Sequence, residues 1–374
     1  MKPRDLNRRL LWSQCLSTKR KGLDAPVEVA EACCGIQSQD LQQSLSAFWA
    51  RIHGFKNQDV LNQLRPGGGL VRTWAVRGAM HTIPSRDYFL YIKGGASVRM
   101  LKWIDTLARK ADYPSRDQRR KWLYDPLLEE IQGRAVTKEE LGEFVDERAR
   151  QHGLKEGEWT GLGEMAFLGL LVHAGKKGSK SLWMRTDEWV SGSKDPRDRA
   201  ACRAELLQKY IAQYGPVTKE DIRYWAYLTK KQLDEALALL GDELIQVERD
   251  DATEPYLALQ LEFDKDLPPP PKVILLPKYD SILLGLQDKS RFMDMAHYKR
   301  VFPRVPPGMV RPTVLVDGYV VATWGGTKRK RKISVEIQPF GSISRSDMKA
   351  VQEQFQEYAE YLELEAEVGW ASAT

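Results

Sequence analysis

The chain has little of what builds a metal centre or a disulfide framework. It holds four cysteines and five histidines in 374 residues, Cys33 and Cys34 are adjacent, and no Cys-x-x-Cys spacing occurs. Structural zinc needs thiolates and imidazoles at short paired spacings, so neither a metal nor any other cofactor is expected. So few thiols also suit a reducing cytoplasm. Long apolar runs are missing too. The most apolar stretch, residues 165–175, carries His173 and falls well short of the roughly 20 residues that a bilayer helix requires. Residues 1–5 lead into an Arg-rich amphipathic stretch without an apolar leader core, so a soluble cytoplasmic chain with no membrane partner is expected. The common catalytic fingerprints are absent as well: no P-loop, no Rossmann glycine motif, no Gly-x-Ser-x-Gly elbow and no His-Glu-x-x-His,. Gly67-Gly68-Gly69 follows Pro66 but lacks the Lys-Ser/Thr that a phosphate cradle needs, and reads as a mobile connection.

What is present is enough for real cores. Hydrophobic residues make up 42% of the chain and charged ones 29%, which excludes global disorder,. Length alone implies more than one domain. The net charge of +6 permits a polyanionic partner without requiring one,.

The most informative pattern is an internal echo. Gly133-Arg134-Ala135-Val136-Thr137-Lys138-Glu139-Glu140-Leu141 resembles Gly215-Pro216-Val217-Thr218-Lys219-Glu220-Asp221-Ile222. In each, a Thr followed three places later by an acid reads as a reciprocal helix cap. Each copy is preceded by an amphipathic helix (122–131 and 200–214) and followed by a second helical stretch (162–174 and 230–240). Each then closes in strand-like residues (181–184 and 243–248). Helix, capped helix, helix and hairpin is the order of a winged-helix module, and a repeat of about 80 residues matches its size. The first hundred residues read the same way, with helices over 4–16, from Asp24, and from about Asp40 through Ile52, then a wing-like hairpin over 70–83.

Composition changes at Leu267-Pro268-Pro269-Pro270-Pro271, a stiff spacer,. Beyond it strands dominate (273–276, 313–316, 319–323, 332–339), Asp317-Gly318 signals a hairpin turn, and a helix over 346–364 follows,. The expected fold is therefore α+β: tandem winged-helix (helix-turn-helix) modules at 1–110, 111–196 and 197–266, then a β-rich C-terminal domain at 267–374.

Two features could carry function. In Gly35-Ile36-Gln37-Ser38-Gln39-Asp40 two glutamines two apart fall at a junction between helices, where a turn could make both amides converge; spacing alone favours solvated amides at a polar helix end. In Trp324-Gly325-Gly326-Thr327-Lys328-Arg329-Lys330-Arg331-Lys332 five consecutive cations lie between strands. Such a tip repels itself unless a polyanion is near, and phosphate contact with counterion release would relieve it. The two glycines would let the tip bend into a groove. Weaker candidates are Arg77 and His81, which would touch backbone or support the glutamine loop, the histidine equally well being a satisfied core residue. Asp280 and Arg291 would pair as a structural brace, with a chemical role second. Arg8, Arg9, Lys19, Arg20 and Lys21 make the first module basic. Trp12, Trp49, Trp74, Trp103, Trp122, Trp159, Trp183 and Trp225 sit on amphipathic stretches and read as core. Cys33 and Cys34 read as packing residues beside the motif.

Gly35-x-Gln37-x-Gln39 resembles the motif of the bacterial winged-helix DNA glycosylase family of AlkZ, the azinomycin-resistance glycosylase, and YcaQ, the interstrand-crosslink repair glycosylase. Arg77-Gly78-Ala79-Met80-His81 is similar to that family's first wing. Leu275-Leu276-Pro277-Lys278-Tyr279-Asp280 with Leu283-Leu284-Gly285 and Asp288-x-x-Arg291 is similar to the opening of its β-domain, and Val316-Asp317-Gly318-Tyr319-Val320 with Trp324 to the hairpin beyond. The paired-glutamine form is closer to the AlkZ branch than to the Gln-x-Asp form of YcaQ. Ser38 departs from the pattern, and Asp40 supplies a carboxylate one place late. The resemblance implies a monofunctional glycosylase acting on cationic N7-alkylpurines in double-stranded DNA and unhooking crosslinks. Gln37 and Gln39 would hold the attacking water, Lys328, Arg329, Lys330, Arg331 and Lys332 would contact DNA, and a monomer is expected. Residues alone leave two other readings, a winged-helix transcriptional regulator and a protein-binding scaffold. A regulator would dimerise on a palindrome, which three modules in one chain argue against.

Overall fold

The computed structural model describes residues 3–154, 161–191, 196–248, 254–260, 267–305 and 308–372, and helices and sheets are mixed throughout. The chain packs into two units, each assembled from separated stretches. Residues 1–59, 208–225 and 240–374 form one, and 60–207 with 226–239 form the other. The segment expected to be the first module is thus divided, with helix Leu41–Trp49 in the first unit and hairpin Leu70–Trp74/Met80–Pro84 in the second. Among the described residues no helix is long and apolar enough to cross a membrane, and no group of three or more His, Cys, Asp or Glu is placed to hold a metal.

The first unit is built on a five-stranded sheet. Its order is Glu365–Trp370, Lys332–Pro339, Tyr319–Arg329, Thr313–Val316 and Val273–Leu276, antiparallel except for the first pair. Alternation sets the faces: Ile333, Val335 and Ile337 are buried while Lys332, Ser334 and Glu336 are exposed,. A parallel neighbour needs a crossover, supplied by helix Arg345–Tyr361,. That helix is capped by Ser344 and buries Val351, Phe355, Tyr358 and Ala359, an i, i+4, i+7, i+8 stripe,. Trp324 meets Phe355 and Tyr358 edge-on at 5.2 and 5.5 Å, and Trp49 meets Tyr358 at 4.9 Å. The turn at Asp317 and Gly318 has φ of 49° and 82°, the mirror-image hairpin turn that the Asp-Gly pair favours,. Helix Pro3–Ser13 lies on it, with Asn7 Nδ2 donating to the Gly318 carbonyl at 2.7 Å.

One buried ion pair ties this unit's first stretch to its last. Arg51 and Asp280 side chains are both 0% exposed and meet through two parallel bonds of 2.8 and 2.7 Å. Arg51 also donates from Nε and Nη1 to the carbonyls of Gln14 and Ala47, each at 3.0 Å. Asp280 also caps helix Ser281–Gly285 by accepting from the Ile282 amide at 3.1 Å. Burial alone would push the Arg51 proton off, but the Asp280 carboxylate raises its pKa instead,. Gly285 is demanded here, since a Cβ would stand 1.9 Å from the Tyr214 ring.

In the second unit, residues 116–185 follow the order helix, capped helix, helix, hairpin. The Thr137 cap is reciprocal with Glu140, as its spacing implies. Thr218 and Asp221, in the first unit, make the same exchange. Hairpin Leu171–Lys177/Lys180–Arg185 receives Val136–Thr137 along one edge and Leu70–Trp74 along the other. Trp74 stacks on Trp183 at 4.9 Å and 3°. Three expectations need correction. The helix expected over 162–174 ends at Phe167 because Gly169, at φ 75°, stops it with a turn in which the Leu170 amide bonds the Met165 carbonyl,. Residues 67–69 are a hydrogen-bonded turn, the Gly67 amide reaching the Trp189 carbonyl at 2.9 Å and the Gly69 amide the Gln63 side chain at 3.0 Å. Trp103 is 56% exposed rather than core, unlike Trp49, Trp183 and Trp225; Trp159 lies outside the described residues.

Replacing Arg51 with Met should strand the Asp280 charge and cost about 3–5 kcal/mol in urea unfolding. A loss below about 1 kcal/mol would show the pair to be dispensable.

Candidate active site and nucleic-acid interface

The glutamine segment is a short excursion between two helices. Helix Ala25–Ala32 ends, and Cys34 and Gly35 take φ of 48° and 93°, turning the chain out of helical register. Ile36–Gln37 is extended, Ser38 is buried, and Asp40 is the N-cap of helix Leu41–Trp49. The backbone is tied down at successive carbonyls. Gln14 Nε2 donates to Ala32 at 2.8 Å, Tyr214 Oη to Cys33 at 3.0 Å and Ser281 Oγ to Gly35 at 3.1 Å. Ser281 is the first residue of the helix that Asp280 caps, so the Arg51–Asp280 pair holds the loop at one remove. Gln37 is half-buried and Gln39 exposed. Among the described residues the Gln37 side chain has no hydrogen-bond partner, whereas Gln39 and Ser38 have partners.

The carboxylates around this loop each have a structural partner, Asp40 through Oδ1 alone. Asp40 accepts from the amides of Gln42 and Gln43 at 2.9 and 3.4 Å, so its position one place late reflects a capping duty,. Asp280 is sealed against Arg51, and Glu31 pairs with Lys209 at 2.9 Å. The expected brace between Asp280 and Arg291 does not form. Arg291 instead donates to the carbonyls of Tyr214 and Pro216 at 3.4 and 2.7 Å and lies over the Tyr256 ring at 5.3 Å. Two neutral amides on a pinned backbone, among committed acids, can orient water but cannot strip a proton from it.

Arg77 and His81 belong to the second unit. Arg77, at φ 52°, shapes the turn of hairpin Leu70–Trp74/Met80–Pro84 together with Gly78. His81 is buried and donates from Nδ1 to the Ala79 carbonyl at 2.9 Å; burial lowers its pKa to about 3, and it is neutral throughout the physiological range,.

The basic run forms a hairpin tip. Arg329 pairs with Lys332 across a two-residue turn, Lys330 and Arg331, with Lys330 at φ 52°. Residues 325–332 are all exposed. Lys332 is bonded to Glu367, which raises its pKa, while Lys328, Arg329, Lys330 and Arg331 have no ion pair among the described residues. The glycines do not form a hinge: Gly325 and Gly326 sit in the ladder opposite Glu336 and Val335. Much of the expected basic surface of the first helices is committed to packing. Arg8 donates to the Pro268 carbonyl at 2.9 Å, Lys19 to the Trp49 carbonyl at 3.3 Å, and Arg20 to Cys15 Sγ at 3.3 Å.

A cavity of about 460 Å³ is lined both by Gln42 and Gln43, in the first turn after the glutamine segment, and by Thr327 and Lys328 of the hairpin stem. Arg51, Tyr214 and Ser281, which fix the loop, were not singled out by the sequence reading. Arg51 was recoverable, being a lone cation after the apolar run Ala47-Phe48-Trp49-Ala50, a pattern that signals a buried pair,.

Comparison with known proteins gives a consistent answer. The family model described as DNA glycosylase AlkZ-like matches residues 30–361. The solved structure of Streptomyces sahachiroi DNA glycosylase AlkZ superposes with a TM-score of 0.80 at 20% sequence identity, covering 98% of this chain and 99% of that one. No curated protein matches.

All four cysteines are buried and free, and desolvation pushes the Cys33 thiol up to about 12,. A thiol reagent such as DTNB should therefore titrate none of them in the native state at pH 8 and all four in guanidinium. Rapid labelling of the native protein would place a thiol at the surface.

Proposed function

This chain belongs to the AlkZ-like DNA glycosylase family, and on that basis we propose that it is a monofunctional enzyme that excises cationic N7-alkylpurines from duplex DNA and unhooks crosslinks made through such adducts. The observation that carries the reading is the loop itself: Gln37 and Gln39 stand on a backbone bonded at three neighbouring carbonyls, and the carboxylates beside it are occupied by a helix cap and by ion pairs.

That arrangement suits one class of leaving group. An N7-alkylpurine carries a positive ring, so when the C1′–N9 bond breaks, the electron pair moves to N9 and the base departs neutral. No general acid is needed. The sugar becomes oxocarbenium-like, and a water held by the two amides adds its oxygen to C1′ while its proton passes to solvent. Positioning and electrostatics supply the catalysis. A neutral purine would leave as an anion, and neutral amides offer it no proton. A crosslinked base is tethered to the opposite strand and cannot swing fully out of the helix. The loop would then approach from a groove, with Lys328, Arg329, Lys330, Arg331 and Lys332 gripping phosphates. In this reading the three modules at 1–110, 111–196 and 197–266 serve as tandem winged helices beside the β-rich domain at 267–374, in a cytoplasmic monomer. The regulator and scaffold readings are set aside by the family membership.

Gln37→Ala and Gln39→Ala should each slow release of N7-methylguanine from duplex DNA by about 10²–10³-fold, with duplex affinity within twofold of wild type. Unchanged excision rates would remove the water-positioning role. Neutralising Lys328 to Arg331 should act in the opposite sense, lowering affinity and flattening its log–log salt slope by about 0.9 per lost phosphate contact.

A further inference from the structure

The hairpin stem carries a feature that the reading above does not use. A second cavity of about 330 Å³ adjoins the one of about 460 Å³, and five residues line both: Lys278, Pro312, Trp324, Gly325 and Glu336. The two are halves of one groove across the base of the basic hairpin. Arg311 lines one half and Lys328 the other, with Lys278 common to both. Lys278, Arg311 and Lys328 are exposed and have no ion pair among the described residues, although Glu336 lines both halves with them.

Two details give the groove a built character. Lys278 is fixed at its backbone, its amide donating to Gln43 Oε1 at 3.0 Å. The next residue, Tyr279, is held at φ 61°, a strained conformation for an aromatic residue, between that bond and the sealed Asp280,. The groove floor is open because Gly325 has no side chain. A Cβ there would meet nothing within 4 Å, on the strand directly opposite Glu336.

We propose that this groove seats the phosphodiester backbone of one DNA strand, with Lys278 and Arg311 as phosphate contacts that extend the track of Lys328 from the half shared with Gln42 and Gln43 into the half that Arg311 lines. Three cations against one acid select an anion, and two adjoining halves with a cation in each suit successive phosphates of a backbone better than a single small molecule,. Pro312 and Trp324 supply an apolar wall of the kind sugars pack on. The proposal rests on the glycosylase reading only in taking duplex DNA as the partner.

The test uses the full chain and an unmodified duplex, with affinity measured from 50 to 300 mM NaCl. The double variant Lys278→Gln, Arg311→Gln should flatten the slope by about 1.8, and Lys278→Arg should restore its share. Gly325→Leu, whose Cβ meets no atom within 4 Å and whose remaining atoms enter the groove, should bind several-fold more weakly, with a thermal melt checking that it folds. Glu336→Gln should tighten binding. An unchanged slope in the double variant, wild-type affinity in Gly325→Leu, or weaker binding by Glu336→Gln would each overturn the proposal. Excision of N7-methylguanine by wild type, run in parallel, separates the two ideas. Excision with an unchanged slope defeats the groove alone. A groove-sensitive slope without excision defeats the chemistry and leaves the groove standing.

Discussion

The first unit depends on a charge that cannot be left alone. Arg51 is buried at the end of helix Leu41–Trp49, and the Asp280 carboxylate, 229 residues away, makes its burial tolerable together with the carbonyls of Gln14 and Ala47,. Everything near the glutamine segment inherits its position from that pairing. Asp280 starts the short helix whose Ser281 holds Gly35, and the Tyr214 hydroxyl that holds Cys33 fits only because Gly285 leaves room for its ring. An ion pair of this kind adds little net stability compared with an apolar substitute, but it rejects alternative registers sharply, because any slip leaves a bare charge in the core. That property suits the task proposed for the loop, holding two amides still.

On the proposed chemistry, neutral side chains suffice. Acids close to the loop are used for architecture, Asp40 as a cap and Glu31 and Asp280 in pairs. In the proposed reaction the positive charge that drives bond cleavage resides on the substrate, so the protein has no need to tune a carboxyl group. His81, in strand Met80–Pro84, is buried and uncharged and has a packing role.

Much of this was legible in the chain. The Thr137 and Thr218 caps, the strands on either side of Asp317-Gly318 and the basic tip all follow from local rules of capping, turn chemistry and alternation, and they stand where those rules put them. Local rules failed where a distant partner decides. The parallel strand Glu365–Trp370 went unread because glutamate is a poor strand former and the strand's neighbour comes from across a helix,. The helix read through Gly169 failed because an apolar run is compatible with both helix and buried strand, and one left-handed glycine chose between them,. Asp280 was singled out but given the wrong partner. Two charges in one motif suggested each other, while the true partner lay 229 residues away.

That separation has a consequence during synthesis. A ribosome adding about 5–20 residues per second takes on the order of 10–45 s to travel from Arg51 to Asp280. Throughout that interval the amino-terminal helices have neither Asp280 to match Arg51 nor Ser281 to hold Gly35. The glutamine segment is therefore assembled only after most of the chain has been translated, and a nascent or prematurely terminated product carries the motif without the frame that gives it a fixed shape. For a protein whose proposed chemistry severs bases from the genome, the order in which its pieces are made acts as a safety catch.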